Sequence, residues 1–268
     1  MPELPEVETV RRTLEPHVVG RSFVDAWAHP SSKFAPAVEA VGPVVDAARR
    51  RGKYLLFDLD DRRELVVHLG MTGQLTWHDE PVEDDPYVRA WWRTADGAML
   101  RFRDVRRFGR LAVVDEGAYS SLPTLHHLGP EPFDDQLTDE VFWRALNSSS
   151  RHLKTKLLSQ RPIAGVGNIY ADEACWIAQV APGDRRISRP RAAALLAALR
   201  DVLGTAIEHG GTTLRDYRTG DGDLGGHQHH LWCYGRGGEP CARCGRPLSS
   251  RVLDARTTTW CRNCQPRR

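Results

Sequence analysis

The sequence has 268 residues, 41% of them hydrophobic, which is long enough for two domains with hydrophobic cores of their own. Its formal net charge is only +2, but the stretch from Gly235 to the end has eight arginines and two acidic residues. That surplus favours a polyanionic partner, although a solvated basic surface is the alternative, because lysine is rare throughout the chain. No apolar run reaches membrane-spanning length and the acidic start is unlike a signal peptide, so we expect a cytoplasmic protein without membrane association.

The first nine residues combine an amine with carboxylates. If Met1 is removed, as the small residue Pro2 permits, the chain begins with a secondary amine followed directly by Glu3. An α-amino group has a pKa of about 8, so part of it is unprotonated and nucleophilic at neutral pH. The alternative is that Pro2, Glu3 and Glu6 are ordinary features of a helix start, and this stretch alone favours that interpretation.

A helix is predicted over residues 5–18, because four apolar residues recur at helical spacing and Gly20 supplies a stop. Between residues 23 and 115 the pattern changes to short runs of strand length, separated by turn residues. These runs cover residues 53–59, 64–69, 88–93, 98–103 and 110–114. Successive antiparallel strands of this kind predict a β-sandwich or barrel behind the leading helix.

A stretch rich in proline and aspartate, residues 128–135, indicates an interdomain linker. Helices are expected after it, and the last of them covers residues 191–208. The chain is therefore predicted to be an α+β multidomain protein whose helical C-terminal domain ends in a small module. The expected boundaries are 1–128 for the β-rich domain, 129–137 for the linker, 138–232 for the helical domain and 233–268 for the module.

Two CxxC pairs form the most specific motif in the chain. They comprise Cys241, Cys244, Cys261 and Cys264, with sixteen residues between the pairs. This spacing lets two turns present four thiolates to one zinc ion, and four ligands make that metal structural. Four free cysteines in a tail are the alternative. The arginines and threonines between the pairs have a β-hairpin composition that suits nucleic acid, whereas Cys175 and Cys233 are expected to be buried thiols.

Closely spaced glycines in residues 164–170 precede a predicted helix. Such a turn brings backbone N–H groups towards an anion, and Asn168 can add a side-chain donor. A tight turn between two helices explains the glycines equally well. Four basic residues just upstream favour the phosphate interpretation: Arg151, Lys154, Lys156 and Arg161.

Residues 102–109 and 68–73 place apolar side chains beside arginines. Phe108 follows Arg106 closely, and Met71 lies in the second segment. An aromatic or apolar wedge beside a guanidinium is what the extrusion of a base from duplex DNA requires. The alternative is that Phe108 and Met71 are ordinary core residues.

Together these motifs resemble the formamidopyrimidine-DNA glycosylases of the Fpg/Nei family, and the resemblance covers essentially the whole chain. The matching segments are, in order, residues 1–12, 52–55, 68–71, 104–109, 128–132, 165–173, 210–216, 234–236 and the cysteine quartet. The resemblance implies an N-terminal β-sandwich domain, a helix-two-turns-helix domain and a zinc-finger hairpin.

The resemblance also implies catalytic roles. Pro2, freed of Met1, is similar to the nucleophile that attacks the sugar C1′, expels the damaged base and forms an iminium intermediate. Glu3 matches the proton donor to the opening sugar ring, and Glu6 is an acidic residue nearby. Lys53 matches the lysine assigned to β-elimination. Arg256 matches the finger arginine assigned to δ-elimination; because a guanidinium hardly deprotonates, we favour a phosphate-binding role for it.

DNA contacts are implied as well. Met71, Arg106 and Phe108 correspond to the residues that fill the gap left by the extruded nucleotide. Residues 219–226 correspond to a mobile loop over the flipped base, a composition that suits a lid. The remaining expected DNA contacts are His68, Lys154, Asn168 and Tyr234.

The chain departs from the family pattern at two places. Family members usually have a histidine near Tyr87, so a DNA contact there is in doubt. Histidines at 227, 229 and 230 replace the aromatic or apolar residues that are typical, and a second metal site is a minor alternative, because surface histidines are common.

The expected function is that of a bifunctional glycosylase and abasic-site lyase for oxidised purines such as 8-oxoguanine, because Leu4 favours that branch and the pyrimidine branch usually has glycine there. A pyrimidine-lesion glycosylase of the endonuclease VIII type and a non-catalytic DNA-damage binder are the alternatives. We expect one structural zinc ion, damaged double-stranded DNA as partner, a monomer, and a location in the cytoplasm at the nucleoid.

Overall fold

The computed structural model describes residues 1–80 and 82–267. The chain divides into two compact units, which are described separately. The first contains Met1–His126 and Ile207–Gln228, and the second contains His127–Ala206 and the segment from His229 onwards. Within the described residues, no helix combines the length and the apolar character needed to cross a membrane.

The first unit begins with a helix and continues as two four-stranded antiparallel sheets. Helix α1 covers Leu4–Val18 and a short helix α2 covers Pro123–His126. Strands β1 to β8 are, in chain order, Phe23–Ala28, Val45–Arg51, Tyr54–Leu59, Arg63–His68, Gly73–His78, Val88–Thr94, Met99–Asp104 and Arg110–Asp115. The strand orders of the two sheets are β1-β6-β7-β5 and β2-β3-β4-β8. The predicted antiparallel β-sandwich with a leading helix is confirmed.

Helix α1 packs its apolar side against the sheets. Val10 and Leu14 are fully buried and share one core with Phe57 of β3, Trp92 of β6 and Phe102 of β7. Burial of each such side chain contributes roughly 1.5–3 kcal/mol, so the amino-terminal helix is an integral part of the unit. The amino terminus is thereby held against the sandwich.

Three strands were not predicted. Strand β2 has the sequence VDAARRR and β5 has GQLTWH, whereas β1, FVDAWA, contains a single polar residue. In β2 and β5 the polar residues on the exposed or half-buried side interrupt the apolar runs on which the prediction was based. Strand β1 leaves Val24 and Trp27 exposed, so its apolar residues do not alternate between a buried and a polar side. These strands form because they pair with a neighbouring strand, as Arg49 of β2 pairs with Leu56 of β3.

The second unit contains helices and a terminal hairpin. Helices α3 to α6 cover Asp139–Asn147, Leu153–Leu158, Asn168–Ile177 and Arg189–Glu208, and the antiparallel strands β9 and β10 cover Ser249–Leu253 and Arg256–Trp260. Thr138 caps α3, because its hydroxyl oxygen accepts the Val141 N–H at 3.3 Å. The expected helical domain with a terminal hairpin is confirmed.

The segment Ile207–Gln228 packs with the first unit, although the sequence suggested residues 138–232 as one domain. Two hydrogen bonds explain the packing: Thr212 N–H donates to Glu6 Oε1 at 2.7 Å, and Gly220 N–H donates to Thr13 Oγ1 at 2.8 Å. The domain boundaries expected from the sequence stay a prediction.

Candidate active site and nucleic-acid contacts

The amino terminus is buried and fixed. Pro2 is buried, and Glu3 and Glu6 are 2% and 1% exposed. Glu6 Oε2 accepts the Glu3 N–H at 2.7 Å, and Glu6 Oε1 accepts the Thr212 N–H at 2.7 Å. Both oxygens of one carboxylate therefore tie the residue next to Pro2 to the 207–228 segment, which immobilises the backbone around the candidate nucleophile.

Lys53 lies in the two-residue turn between β2 and β3. Arg51 pairs with Tyr54 across this turn, and Gly52 takes a φ of 57°, which glycine adopts without strain. The Lys53 side chain is buried, and its charge helps to lower the pKa of His68. The structure thus brings Lys53 and His68 together at one end of the β3–β4 pair.

His68 is a neutral hydrogen-bonding group. Burial, followed by the Lys53 charge, lowers its pKa to about 4. Its ring packs against Tyr54 with 4.6 Å between ring centroids, and its Nδ1 accepts the Gly70 N–H at 3.2 Å. Because Nδ1 is the acceptor, Nε2 carries the proton and is the donor available to an anion.

The two apolar segments predicted as a wedge lie side by side. Phe108 is 49% exposed and Met71 is 38% exposed, so neither is a core residue. The Arg106 guanidinium lies over the Phe108 ring at 4.7 Å. Gly70 packs so closely that a Cβ there would lie 2.4 Å from the Gly109 nitrogen, and only glycine fits.

A buried aspartate joins these two segments. Asp104 is fully buried, and its carboxylate accepts the Thr72 hydroxyl at 2.5 Å and the Gly109 N–H at 2.7 Å. The Thr72 hydroxyl oxygen in turn accepts the Arg106 N–H at 3.0 Å. The exposed wedge side chains are thereby supported by a fixed base.

The candidate lid, residues 219–226, is anchored at both ends. Gly220 O accepts the Trp77 N–H of β5 at 2.8 Å, and Gly225 N–H donates to Thr213 Oγ1 at 2.9 Å. Only residues 221–224 between these anchors are exposed, with Leu224 at 62%. The exposed part of the candidate lid is therefore four residues long.

The cysteine quartet forms a closed four-sulfur site. All four Sγ atoms lie within 4.8 Å of one another, and within the described part of the chain this is the only His/Cys/Asp/Glu cluster that could hold a metal ion. Zinc bound by four thiolates at about 2.3 Å has sulfur–sulfur distances of about 3.8 Å, so the quartet fits that metal. The predicted structural zinc site is confirmed.

Two expected phosphate contacts lie on or beside α5. Asn168 begins this helix and is half-buried after the 164–167 turn. One turn later, the Glu173 carboxylate accepts three consecutive backbone N–H groups: Oε2 accepts that of Trp232 at 2.9 Å, and Oε1 accepts those of Cys233 at 2.8 Å and Tyr234 at 2.6 Å. Helix α5 therefore holds Tyr234 at a set distance from Asn168.

Comparison with known proteins gives the family. Residues 1–111 match the formamidopyrimidine-DNA glycosylase N-terminal domain, residues 128–218 its H2TH domain, and residues 238–267 a zinc finger found in FPG and IleRS. The chain belongs to the formamidopyrimidine-DNA glycosylase family. It is 42% identical to the formamidopyrimidine-DNA glycosylase of Deinococcus radiodurans, over 100% of this chain and 98% of that one.

Solved structures of family members agree in fold. The MutM (Fpg) protein of Thermus thermophilus superposes with a TM-score of 0.92 at 43% identity, over 100% of both chains. The Lactococcus lactis Fpg, in complexes with DNA containing an abasic site or Fapy-dG, gives a TM-score of 0.89 at 31% identity, over 99% of this chain and 100% of that one.

The residues that depart from the family pattern, Tyr87 and the histidines at 227, 229 and 230, differ in their burial and contacts. The Tyr87 ring faces the guanidinium groups of Arg103 at 5.1 Å and Arg89 at 6.0 Å. His227 is buried, and its Nδ1 lies 3.1 Å from that of His209, so this histidine packs inside the first unit. His229 and His230 are exposed.

The sequence reasoning missed Asp104, Asp172 and Glu173, although all three are buried. Asp172 pairs with Lys154 and Glu173 accepts the Tyr234 N–H, while Asp104 bonds Thr72 and Gly109, next to the expected wedge residues. Adjacent acidic residues inside an otherwise apolar helix, as in IYADEACW, were the available signal, because a buried carboxylate requires partners. Lys154 is also buried, at 1% exposure, whereas Arg256 on β10 is exposed.

Proposed function

We propose that this chain is a bifunctional DNA glycosylase and abasic-site lyase that removes oxidised purines, including 8-oxoguanine and formamidopyrimidines, from duplex DNA. The observation that carries the proposal is the buried Pro2–Glu3 pair of a chain of this family, in which Glu6 Oε2 accepts the Glu3 N–H and Glu6 Oε1 accepts the Thr212 N–H. Two observations support the lesion class: the DNA of one Lactococcus lactis complex contains Fapy-dG, and position 4 is leucine, where the pyrimidine branch usually has glycine. We assign its work to the cytoplasm, at the nucleoid, as a monomer.

Catalysis begins at the secondary amine. The lone pair of Pro2 N attacks the sugar C1′, the glycosidic bond breaks, and the base leaves with the bonding electrons while the Pro2 nitrogen loses its proton, which balances the proton that the base takes up. Glu3 then donates a proton to O4′ as the C1′–O4′ bond breaks and the sugar ring opens. A secondary amine yields an iminium that stays cationic, so it acts as an electron sink for the eliminations that follow.

Two eliminations then cleave the strand. Loss of the C2′ proton and of the 3′ phosphate is β-elimination, for which Lys53 is the assigned residue. Loss of the C4′ proton and of the 5′ phosphate is δ-elimination, in which Arg256 holds the phosphate that leaves. Glu6 acts through position, because both of its oxygens are occupied by backbone N–H groups.

DNA binding prepares this chemistry. Met71 and Phe108 fill the space left by the flipped nucleotide while Arg106 bonds the orphaned base. Phosphate contacts come from His68 Nε2, Asn168, Tyr234 and Arg256. Zinc bound by the four cysteines stabilises the hairpin and leaves no coordination position open for chemistry.

Borohydride trapping tests the proposal. The protein is incubated with duplexes that carry 8-oxoguanine opposite cytosine, an oxidised pyrimidine or an abasic site, and borohydride reduces any imine to a stable adduct. We expect adducts with the 8-oxoguanine and abasic duplexes. An adduct only with the pyrimidine lesion would assign the chain to the other branch, and binding without any adduct would make it a non-catalytic damage binder.

A further inference from the structure

A buried ion pair lies inside the second unit. Lys154 Nζ of α4 is 2.6 Å from Asp172 Oδ1 of α5, and the two side chains are 1% and 0% exposed. Burial raises the pKa of Asp172 to about 7, and the Lys154 ammonium opposes that rise. Removing two charges from water is costly, and such a pair is retained only where geometry and further hydrogen bonds offset the cost.

The further hydrogen bonds of the pair go to one strand of the zinc hairpin. Lys154 Nζ donates to the Thr257 carbonyl at 2.9 Å, and Asp172 Oδ2 accepts the Thr259 N–H at 2.9 Å. Both are backbone groups of β10, one and three residues after Arg256. The ion pair therefore binds the backbone of β10, and these two hydrogen bonds do not depend on the side chains of that strand.

The hairpin is also held on the other side of Arg256. Asp254, in the turn between β9 and β10, accepts a hydrogen bond from the Thr155 hydroxyl, and its Oδ2 lies 3.2 Å from His152 Nδ1. Thr155 belongs to α4 and His152 directly precedes it. The same short helix thus fixes β10 before and after the exposed arginine.

Asp172 also relates the strand to the start of α5. It lies four residues after Asn168, on the same face of the helix and one turn along. A rigid helix between them sets the separation between the Asn168 side chain and the backbone of β10. Any shift in the ion pair would therefore change the spacing between Arg256 and Asn168.

We infer that Lys154 and Asp172 form a positioning pair that holds Arg256 and Asn168 at the spacing of a bound DNA backbone. This role replaces the direct phosphate contact expected for Lys154, whose ammonium is buried and engaged with protein groups on two elements. The inference rests on the proposed function, because the value of the spacing lies in placing the phosphate that leaves in δ-elimination.

Two variants remove the pair in different ways. The double variant K154M/D172L removes both charges at similar volume and leaves no stranded ion, so it is expected to fold. D172N keeps an oxygen for the Thr259 N–H and loses the ion pair. The matched control is R191M, which takes the cation from buried Asp184 in the same unit without touching β10.

The first measurement is the product ratio on an abasic-site duplex with saturating protein in a single turnover. Both variants are expected to lower the ratio of δ-product to β-product by about tenfold or more, because a misplacement of 1 Å can cost about a hundredfold in rate. The yield of trapped imine should change by less than about twofold. Zinc content should stay at the wild-type level, and R191M should keep the wild-type ratio.

The second measurement is the salt dependence of duplex binding. A lysine that contacts phosphate contributes about 0.9 to the slope of log affinity against log salt, so the double variant keeps the wild-type slope if Lys154 only positions the strand. A slope lowered by about one, or an unchanged product ratio in the zinc-loaded double variant, would overturn the inference. Absence of any imine with the wild-type protein would instead refute the proposed function, and the salt slope would still decide the role of Lys154.

Discussion

At the scale of a single residue, Pro2 depends on one covalent bond. Met1 is 51% exposed, whereas Pro2 behind it is buried. With Met1 attached the Pro2 nitrogen is an amide and has no nucleophilic lone pair. We predict that a form retaining Met1 binds an abasic-site duplex with unchanged affinity but gives no adduct on borohydride trapping, and that treatment with a methionine aminopeptidase restores the adduct. Adduct formation by the untreated form would contradict the assignment of Pro2.

His68 gives the chain a pH-dependent stability. Its pKa is about 4 in the folded protein against an ordinary 6.5, because burial and the Lys53 charge disfavour the imidazolium. Between these values the unfolded chain binds more protons, so the stabilisation is present above pH 6.5 and is lost as the pH falls towards 4. We predict a loss of up to about 3 kcal/mol in the free energy of unfolding over this range.

Denaturant titrations of wild type and H68Q at several pH values measure this contribution. Glutamine has no titration in the range, so the variant should show a flatter dependence by the same amount. H78Q is the matched control, because His78 is also a half-buried strand histidine whose pKa is lowered, though less far. Equal slopes for H68Q and wild type would show that His68 is not the group responsible.

At the scale of an element, α5 fixes the backbone of another segment by hydrogen bonds in addition to packing in the core. Its Glu173 accepts the N–H groups of three consecutive residues, including Tyr234. In E173Q the amide nitrogen cannot accept a hydrogen bond, so at least one buried N–H loses its partner. We predict a loss of about 1–3 kcal/mol in the free energy of unfolding and weaker binding of an abasic-site duplex.

The control for E173Q is D201N, which changes the same charge at an exposed position of α6. It should leave both stability and affinity near the wild-type values. If E173Q destabilises the protein without any change in affinity, the segment that contains Tyr234 is not a DNA contact. Calorimetry and fluorescence anisotropy with the same preparations distinguish the two effects.

At the scale of the whole molecule, a net charge of +2 conceals a concentrated basic segment. Of its eight arginines, Arg268 lies outside the described residues, and Arg256 is carried by a hairpin whose fold depends on the cysteine quartet. A closed zinc site contributes its binding energy to folding of the module that it closes. DNA affinity should therefore depend on a metal that takes no part in the chemistry.

We predict that C244A releases zinc and weakens duplex binding, with a fall of about one to two in the salt slope as arginine contacts are lost. C175A is the control, since Cys175 is a buried thiol of the same unit outside the quartet. Metal analysis together with binding at several salt concentrations measures both effects. Unchanged affinity in a zinc-free C244A protein would show that the hairpin is not a main contact.

The sequence by itself determined the features that depend on neighbours along the chain. The spacing of the two CxxC pairs predicts the metal site, the periodicity of α1 predicts its buried side, and alternation predicts the apolar strands, because each follows from local geometry. The Pro2–Glu3 start alone favours an ordinary helix start, and its catalytic role stays a prediction that rests on the resemblance of the whole chain to the family. Strands with a polar exposed side were missed, because their apolar pattern is incomplete until a neighbouring strand is present.

Only the tertiary structure decided which buried charges hold the site together. Glu6 meets Thr212, Asp104 meets Thr72, and Lys154 meets Asp172 and β10, in each case across a separation that no local pattern encodes. A lysine beside a glycine turn is typical of a phosphate contact when read from the sequence, whereas in the folded chain Lys154 is buried and paired with a carboxylate. The physical reason is that burial, nearby charges and hydrogen bonds determine what a charged side chain can do, and these exist only in the folded chain.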